Sequence, residues 1–248
     1  MGFLDKVFKK GENEGTNGGG KVSLSKEETI NRVNLAKEEV HKVCLSKEPL
    51  NNLTSRVGIV LDYSGSMDKL YKNGTVQSVL EKAFPIALEF DDNGAMEVWI
   101  FENGYRRLPD MTIDNVYGYV KREILDKKYS MGGTNYAPVM QDVIKKYTKE
   151  DKASVPSYVV FITDGDNWDK KETDSVIKDA SKLPIFWQFI GVGNAGFDYL
   201  QALDDMKGRY VDNADFFSVG KIDSITYNNM LNEFPVWLSD PKVKGMLK

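Results

Sequence analysis

The sequence predicts an α/β fold with a doubly wound, mainly parallel sheet that is covered by helices on both faces. Beyond Pro49, short β-branched runs alternate with amphipathic stretches. The runs are apolar almost throughout, as in strands that are buried on both faces. Regular alternation of strand and helix is typical of parallel sheets built from strand-helix-strand units. Together these observations predict one large Rossmann-like domain.

Five core strands are predicted from the apolar runs. They cover residues 56–62, 95–102, 157–165, 184–193 and 209–219. Helical periodicity between and after them predicts helices at 75–91, 113–126, 136–149, 170–182 and 197–206, with a last helix from about 222. The segment 105–112 follows Asn103-Gly104, a dipeptide typical of hairpin turns, and is predicted to form one antiparallel edge strand.

The region before the sheet divides into two parts. Residues 1–20 combine four apolar side chains at helical spacing with a Gly-rich stretch, which predicts a short amphipathic segment on a flexible tether that is disordered over 12–20. Ser25 and Glu28 form the pattern of a capping box, so a helix is expected from about 26 to 46. The predicted organisation is therefore a helical extension at 21–50 and a main domain at 51–248 that includes a C-terminal helix.

Composition excludes several classes of partner and compartment. The 37 acidic and 33 basic side chains are mixed along the chain, giving a net charge of -4, so no basic stripe is available for nucleic acid. No apolar run approaches the ~18 residues of a membrane-spanning helix, and the first residues lack a signal-peptide core. The lone Cys44 rules out an internal disulfide. We therefore expect a cytoplasmic protein, and Lys6 argues against myristoylation of Gly2.

Three oxygen-bearing side chains follow the first core strand at alternate positions. Asp62, Ser64 and Ser66 stand where the strand passes into a loop that contains Gly65, so they can converge on one point. Oxygen ligands suit a hard cation such as Mg²⁺, Mn²⁺ or Ca²⁺, whereas zinc prefers Cys or His. Taken alone, the pattern also fits a capped turn between a strand and a helix.

Two further segments supply matching residues. Gly132-Gly133-Thr134 stands just before the helix expected near 136, and Thr163-Asp164-Gly165 ends the third core strand. Ligand sites of doubly wound sheets lie at the carboxyl ends of the strands, near the point where the strand order reverses. The side chains of Thr134 and Asp164 are therefore expected near those of the first loop.

The combination of D-x-S-x-S, Gly-Gly-Thr and Thr-Asp-Gly resembles the metal-ion-dependent adhesion site (MIDAS) of von Willebrand factor A (vWA) domains. The resemblance covers about residues 55–220. It implies one divalent cation, Mg²⁺ first and Mn²⁺ or Ca²⁺ as alternatives, surrounded by Asp62, Ser64, Ser66, Thr134 and Asp164. The two serine hydroxyls would bind the ion directly, Thr134 directly or through water, and the two carboxylates largely through water. A partner protein would then present an acidic side chain to the ion.

A short repeat is similar to bacterial tellurium-resistance and stress-response proteins of the TerF-like group. It appears at 22–26, 33–37 and 43–47, and the following stretch 45–67 adds to the similarity. This resemblance implies a cytoplasmic setting and association with calcium-binding stress proteins. The ~50 residues before the main domain are too few for a calcium-binding stress domain of its own.

These observations favour a non-enzymatic, cation-dependent protein-binding module. The alternatives are a metal-assisted hydrolase or phosphotransferase that uses the same ion, and a structural scaffold in which the site is a relic. An aspartyl-nucleophile phosphatase would need Asp where Ser64 stands. His41, the only histidine, falls in the N-terminal helix and outside the predicted site, so no Ser-His pair can form.

Three remaining features are interpreted as mainly structural. The run from Gly191 to Gly196 has the form of a dinucleotide fingerprint but stands near the end of the chain, which favours a glycine-permitted turn. The stretch 164–175 fails the EF-hand pattern, so Asp166 and Asn167 are expected to cap a helix or to touch a second ion. Trp168 and Tyr136 adjoin the predicted metal loops, where they either line a binding surface or are half-buried.

Overall fold

The structure is a computed structural model that describes residues 24–151, 154–193, 196–220 and 224–247. The amphipathic segment and tether predicted at 1–20 lie outside these residues. None of the helices in the described ranges is long and apolar enough to cross a lipid bilayer.

One six-stranded sheet forms the centre of the fold. Its strands are β1 Arg56–Asp62, β2 Met96–Phe101, β3 Tyr105–Met111, β4 Ser157–Thr163, β5 Ile185–Val192 and β6 Ala214–Val219. They lie in the order β3-β2-β1-β4-β5-β6. Only the β2-β3 pair is antiparallel, and the other four pairs are parallel. The predicted doubly wound sheet with one antiparallel edge strand is therefore confirmed.

Two details of the strands differ from the prediction. The sixth strand begins at Ala214 and not near 209, because Gly208 turns the chain with φ +88° and the Arg209 side chain donates to the Met206 carbonyl at 3.0 Å. The hairpin between β2 and β3 has a three-residue loop, 102–104. Neither Asn103 nor Gly104 has the positive φ of the two-residue turn that the dipeptide predicts.

Helices and helical turns connect the strands and cover the sheet. The α-helices are α1 Lys26–Leu45, α2 Asp68–Lys72, α3 Thr75–Phe90, α4 Ala137–Lys145, α5 Lys170–Ala180, α6 Asp198–Asp204, α7 Tyr227–Met230, α8 Phe234–Ser239 and α9 Pro241–Met246. Short 3₁₀ turns occur at Glu48–Leu50 and Gly65–Met67, and π-helical turns at Lys121–Leu125 and Lys146–Glu150.

The predicted helices at 113–126 and from 222 are shorter in the structure. Asn115 accepts from the Thr112 amide at 2.8 Å and donates to the Asp110 carbonyl at 2.9 Å, so its side chain competes with helical hydrogen bonds and favours turns. The C-terminal region forms three short helices. Pro235 and Pro241 each stand in the first turn of a new helix, where the missing N–H is tolerated.

Helix α1 begins at the predicted capping box. Glu28 N donates to Ser25 Oγ, and Ser25 N donates to the Glu28 carboxylate at 2.7 Å. Its buried side chains, which include Val33 and Val40, pack mainly against α3. Lys47 beyond the helix donates to the Leu231 carbonyl at 2.8 Å, so the extension is also tied to the C-terminal region.

Side chains of β1 alternate between two apolar cores. Ile59 and Leu61 pack in a core formed with α1, α3 and the C-terminal helices, whereas Val60 packs in a second core formed with α4, α5 and α6. Helices therefore cover both faces, as predicted. This arrangement leaves the carboxyl ends of β1 and β4 as the place where loops from both faces meet.

Candidate metal centre

The candidate centre stands where the order of the strands reverses. From β1 the chain proceeds to β2 and β3 on one side, and from β4 to β5 and β6 on the other. β1 and β4 are parallel neighbours with Leu61 opposite Ile162, so Asp62 and Thr163 end their strands side by side. The resulting crevice is where doubly wound sheets bind ligands.

Asp62 is completely buried at the end of β1. Its Oδ1 accepts from the Ser64 amide and its Oδ2 from the Thr163 hydroxyl, both at 2.7 Å. Burial raises the pKa of Asp62 to about 6, and the Asp164 carboxylate adds to the rise, while the hydrogen bonds from Ser64 and Thr163 oppose it. The carboxylate is thus held in one orientation, in surroundings that favour a nearby positive charge.

A chain of hydrogen bonds joins Ser64, Ser66 and Asp164. The Ser66 hydroxyl donates to Asp164 Oδ1 at 2.7 Å. Because the Ser66 hydroxyl proton is donated to Asp164, Ser66 Oγ accepts a hydrogen bond from Ser64 Oγ, 3.0 Å away. Burial also raises the pKa of Asp164. Four of the five residues predicted for the metal site therefore form one cluster, because Asp62 joins it through the Ser64 amide.

Thr134, the fifth predicted residue, is buried between two of the loops that carry the others. Just before it, Gly132 forms a parallel bridge with Ser64 and accepts from the Gly65 amide at 3.2 Å. The Thr134 carbonyl accepts from the Trp168 amide at 2.9 Å, in the segment that follows Asp164. Backbone contacts thus link Thr134 to both loops.

Close packing explains why the loop before Thr134 contains two glycines. A Cβ atom on Gly133 would come within 2.4 Å of the Trp168 ring and 2.6 Å of Asn103 Oδ1. A Cβ atom on Gly132 would come within 2.6 Å of Glu102 Oε2. The β2-β3 hairpin therefore supports this loop, and Asn103 Oδ1 accepts from the Gly133 amide at 3.0 Å.

Asp169 fixes the start of α4 and was missed as a positioning residue by the sequence analysis. Its two carboxylate oxygens accept from the Tyr136 amide at 3.0 Å and the Ala137 amide at 2.8 Å. Asn167 Nδ2 also donates to Asp169 Oδ1 at 2.7 Å. The sequence gives only a weak signal for this role. Asp169 stands just before α5, but the helix start to which it is hydrogen-bonded is that of α4.

The two aromatic residues near the loops have different surroundings. Tyr136 is completely buried, and its hydroxyl donates to the Gly165 carbonyl at 2.6 Å. The same oxygen lies 3.1 Å from Thr163 Oγ1. Tyr136 therefore supports the centre from below and lines no surface. Trp168, in contrast, is 76% exposed.

The other motifs have structural surroundings. Asp166 is exposed and pairs with Lys170, whereas buried Asn167 takes part in the hydrogen bonds at the start of α5. Gly193 has φ +103°, and a Cβ atom on Gly191 would come within 2.7 Å of the Phe197 ring, so these glycines permit a turn and close packing.

The two residues with soft ligand atoms also have structural surroundings. Cys44 is buried in α1, and burial raises the pKa of its thiol to about 12. His41 Nδ1 lies 2.7 Å from Glu89 Oε1, so the histidine contacts α3.

The donor set fits a hard divalent cation. Two carboxylates that repel each other stand with two hydroxyls in one cluster, and oxygen ligands of this kind suit Mg²⁺, Mn²⁺ or Ca²⁺. Within the described part of the chain, no group of three or more His, Cys, Asp or Glu side chains is arranged to hold a metal. A centre built largely from hydroxyls and water would be consistent with that finding.

A doubly wound sheet with hydroxyls and carboxylates at its switch point is the arrangement expected of a vWA domain, and comparison with known proteins shows the family. The chain belongs to the vWA-TerF-like family, the vWA domain found in the TerF C terminus, whose model matches residues 54–247. The predicted resemblance to vWA domains and to the TerF-like group is thereby confirmed. A close relative is the uncharacterized protein YcbR of Bacillus subtilis, 44% identical over 222 residues that cover 87% of this chain and 90% of YcbR.

Solved structures share the fold at low sequence identity. Manganese-loaded TRAP protein of Plasmodium vivax aligns with a TM-score of 0.51 and 15% identity, covering 77% of this chain and 74% of that one. PTMP1 from the mussel byssus, with a zinc-occupied MIDAS motif, aligns with a TM-score of 0.51 and 15% identity over 75% of this chain. The chain spans 46% of PTMP1, and 44% and 43% of two other matched structures.

Proposed function

We propose that this protein is a non-enzymatic module that uses one divalent cation to bind an acidic side chain of a partner protein. The main observation that supports this proposal is the hydrogen-bonded chain from Ser64 through Ser66 to Asp164, beside the buried Asp62 carboxylate. We assign Asp62, Ser64, Ser66, Thr134 and Asp164 to the cation. Mg²⁺ is our first choice, with Mn²⁺ and Ca²⁺ as alternatives.

The chemistry of these residues explains how a partner would be bound. The Ser64 and Ser66 hydroxyls are neutral ligands, whereas Asp62 and Asp164 supply countercharge from positions fixed by their hydrogen bonds. A cation held mainly by hydroxyls and water keeps its attraction for one further carboxylate, which a cage of direct carboxylates would remove. The zinc in PTMP1 and the manganese in TRAP support a divalent cation in this fold.

A metal-assisted hydrolase or phosphotransferase has less support. Such an enzyme would need a general base beside the cation, and hydrogen bonds already engage both carboxylates of the centre. His41, the only histidine, contacts Glu89 of α3.

Membership of the vWA-TerF-like family further supports a cytoplasmic role in tellurium resistance or stress response, with calcium-binding stress proteins as candidate partners.

The first experiment measures cation binding by calorimetry and by thermal unfolding. We expect Mg²⁺ to raise the unfolding temperature, since a ligand at a hundredfold excess over its Kd stabilises the folded state by about 2.7 kcal/mol. Ser66→Ala should abolish the effect, and Ser46→Ala, at the end of α1, should leave it intact. If Mg²⁺, Mn²⁺ and Ca²⁺ all fail to bind the unmodified protein, the proposal is wrong.

A second experiment addresses the partner. Immobilised protein loaded with Mg²⁺ should capture a partner that EDTA releases and that Ser66→Ala fails to capture. Capture that is equal in Mg²⁺ and in EDTA would contradict a cation-dependent contact. Loss of a turnover reaction in Ser66→Ala would instead support the enzymatic alternative.

A further inference from the structure

Trp168 is the most exposed large apolar side chain of the described residues, and it adjoins the candidate metal centre. It is 76% exposed, whereas the other three tryptophans, Trp99, Trp187 and Trp237, are buried. Its amide donates to the carbonyl of Thr134, which we assign to the cation. Aromatic side chains at exposed positions beside a binding site are frequent sources of binding energy, because they bury a large apolar area against a partner.

The indole is held in place by features of the fold. One side of the ring packs on Gly133, where a Cβ atom would lie 2.4 Å from Cζ3 and 2.5 Å from Cη2. On either side in sequence, Asn167 and Asp169 are hydrogen-bonded to each other and to the starts of α5 and α4. The contact with Gly133 therefore restricts the ring before a partner binds, so a partner that contacts it loses less conformational entropy on binding.

Charge alone would give this centre little selectivity. The protein has a net charge of -4, and a divalent cation would be balanced by Asp62 and Asp164. Long-range attraction for acidic proteins is then weak, and contact between a single carboxylate and the cation would be similar for any acidic surface. A second contact next to the cation is needed to distinguish partners, and Trp168 has the exposure and the position to provide it.

We infer that Trp168 selects the partner, which presents a Glu or Asp to the cation and an apolar or aromatic side chain, two residues away, to the indole. This inference depends on the proposed function. Successive side chains of an extended segment point to opposite faces, whereas residues two apart share a face and lie about 6.6 Å from each other. A side chain two positions from the coordinating carboxylate therefore faces the same surface and can contact the neighbouring ring. The proposed occupant is thus an acidic segment that also contains an apolar residue, in another protein.

The test uses three short peptides with capped ends that are identical except for the residue two positions after a single Glu, which is Phe, Leu or Gly. Each is titrated into the full chain with and without Mg²⁺. Binding is followed by acrylamide quenching of tryptophan fluorescence, because Trp168 is the only tryptophan that is exposed. In Trp168→Ala, which lacks this signal, and in the control Val236→Ala, which removes an exposed apolar side chain from α8, binding is followed by calorimetry.

We expect the peptides with Phe and Leu to bind about tenfold more tightly than the peptide with Gly in Mg²⁺. Trp168→Ala should abolish this preference while the variant still binds Mg²⁺, and Val236→Ala should keep both. Equal binding of the three peptides, absence of peptide binding, or a preference that persists in Trp168→Ala would overturn the inference while Mg²⁺ binding still supports the metal site. Failure of Mg²⁺ itself to bind would overturn both proposals.

Discussion

The Thr163 hydroxyl donates to Asp62 Oδ2 at 2.7 Å, joining the ends of β4 and β1 below the candidate metal centre. This contact supplies one of two hydrogen bonds that orient a completely buried carboxylate. The same Thr163 oxygen lies 3.1 Å from the Tyr136 hydroxyl, so it also connects the centre to the start of α4. Thr163 therefore contacts both the buried carboxylate of Asp62 and the Tyr136 side chain at the start of α4, next to loops that carry proposed metal ligands.

Thr163→Val should weaken both stability and cation binding. The substitution keeps the shape of the side chain but removes the donor to Asp62, and loss of a hydrogen bond to a buried charged group costs about 2 kcal/mol. Mg²⁺ affinity should fall about tenfold, as is usual when a residue that orients a ligand is removed. Thr163→Ser should restore most of both quantities in denaturant unfolding and calorimetry. Wild-type affinity in Thr163→Val would rule out the positioning role.

Asp169→Ala should loosen the start of α4. It removes the acceptor for the Tyr136 and Ala137 amides, and loss of a helix cap costs about 1 kcal/mol. Because Thr134 stands two residues before Tyr136, Mg²⁺ affinity should fall as well. Glu172→Ala, which removes an exposed carboxylate from the first turn of α5, is the matched control for urea unfolding and cation titration. Equal effects of the two variants would contradict a specific role for Asp169.

Helix α1 should unfold together with the sheet. Val40 is completely buried against the domain, so Val40→Ala should lower the free energy of unfolding by about 2 kcal/mol through lost apolar contacts. Glu38→Ala on the exposed side of α1 should change it little. Circular dichroism and tryptophan fluorescence should show one coincident transition in all three proteins. A separate early transition that tracks helix content would show that α1 is an independent unit.

Stability in the absence of added cation should depend on the protonation of Asp204. Burial, followed by the carboxylates of Asp215, Asp212 and Asp205, raises the pKa of Asp204 from an ordinary value of 3.8 to about 7, and Arg209 opposes the rise. The folded state therefore binds a proton more tightly than the unfolded state. The resulting stabilisation is complete below about pH 4 and is lost as the pH rises through about 7.

Asp204→Asn mimics the neutral carboxyl and should remove this pH dependence. At about pH 8 the variant should be more stable than the unmodified protein, whereas near pH 4 the two should be similar. Asp179→Asn removes the same charge from an exposed site and should leave the slope of stability against pH unchanged. Urea unfolding across this range provides the measurement, and parallel curves for Asp204→Asn and the unmodified protein would disprove the expectation.

Local patterns in the sequence were sufficient to predict much of the architecture. Ser25 and Glu28 lie three residues apart and determine the start of α1 by contact with each other. The apolar run 56–62 coincides with β1, because a strand buried on both faces needs an apolar side chain at almost every position. The alternation of strands and helices and the order of the metal-site motifs could likewise be predicted from the sequence alone.

Tertiary structure alone decided the surroundings of the site. Trp168 and Tyr136 adjoin the same predicted loops, yet one is exposed and the other completely buried. Asp169 caps a helix that begins more than thirty residues earlier, and Thr163 binds a carboxylate on another strand. The physical reason is range: caps and strand periodicity depend on residues a few positions apart, whereas burial and contacts between loops depend on which distant segments the sheet brings together.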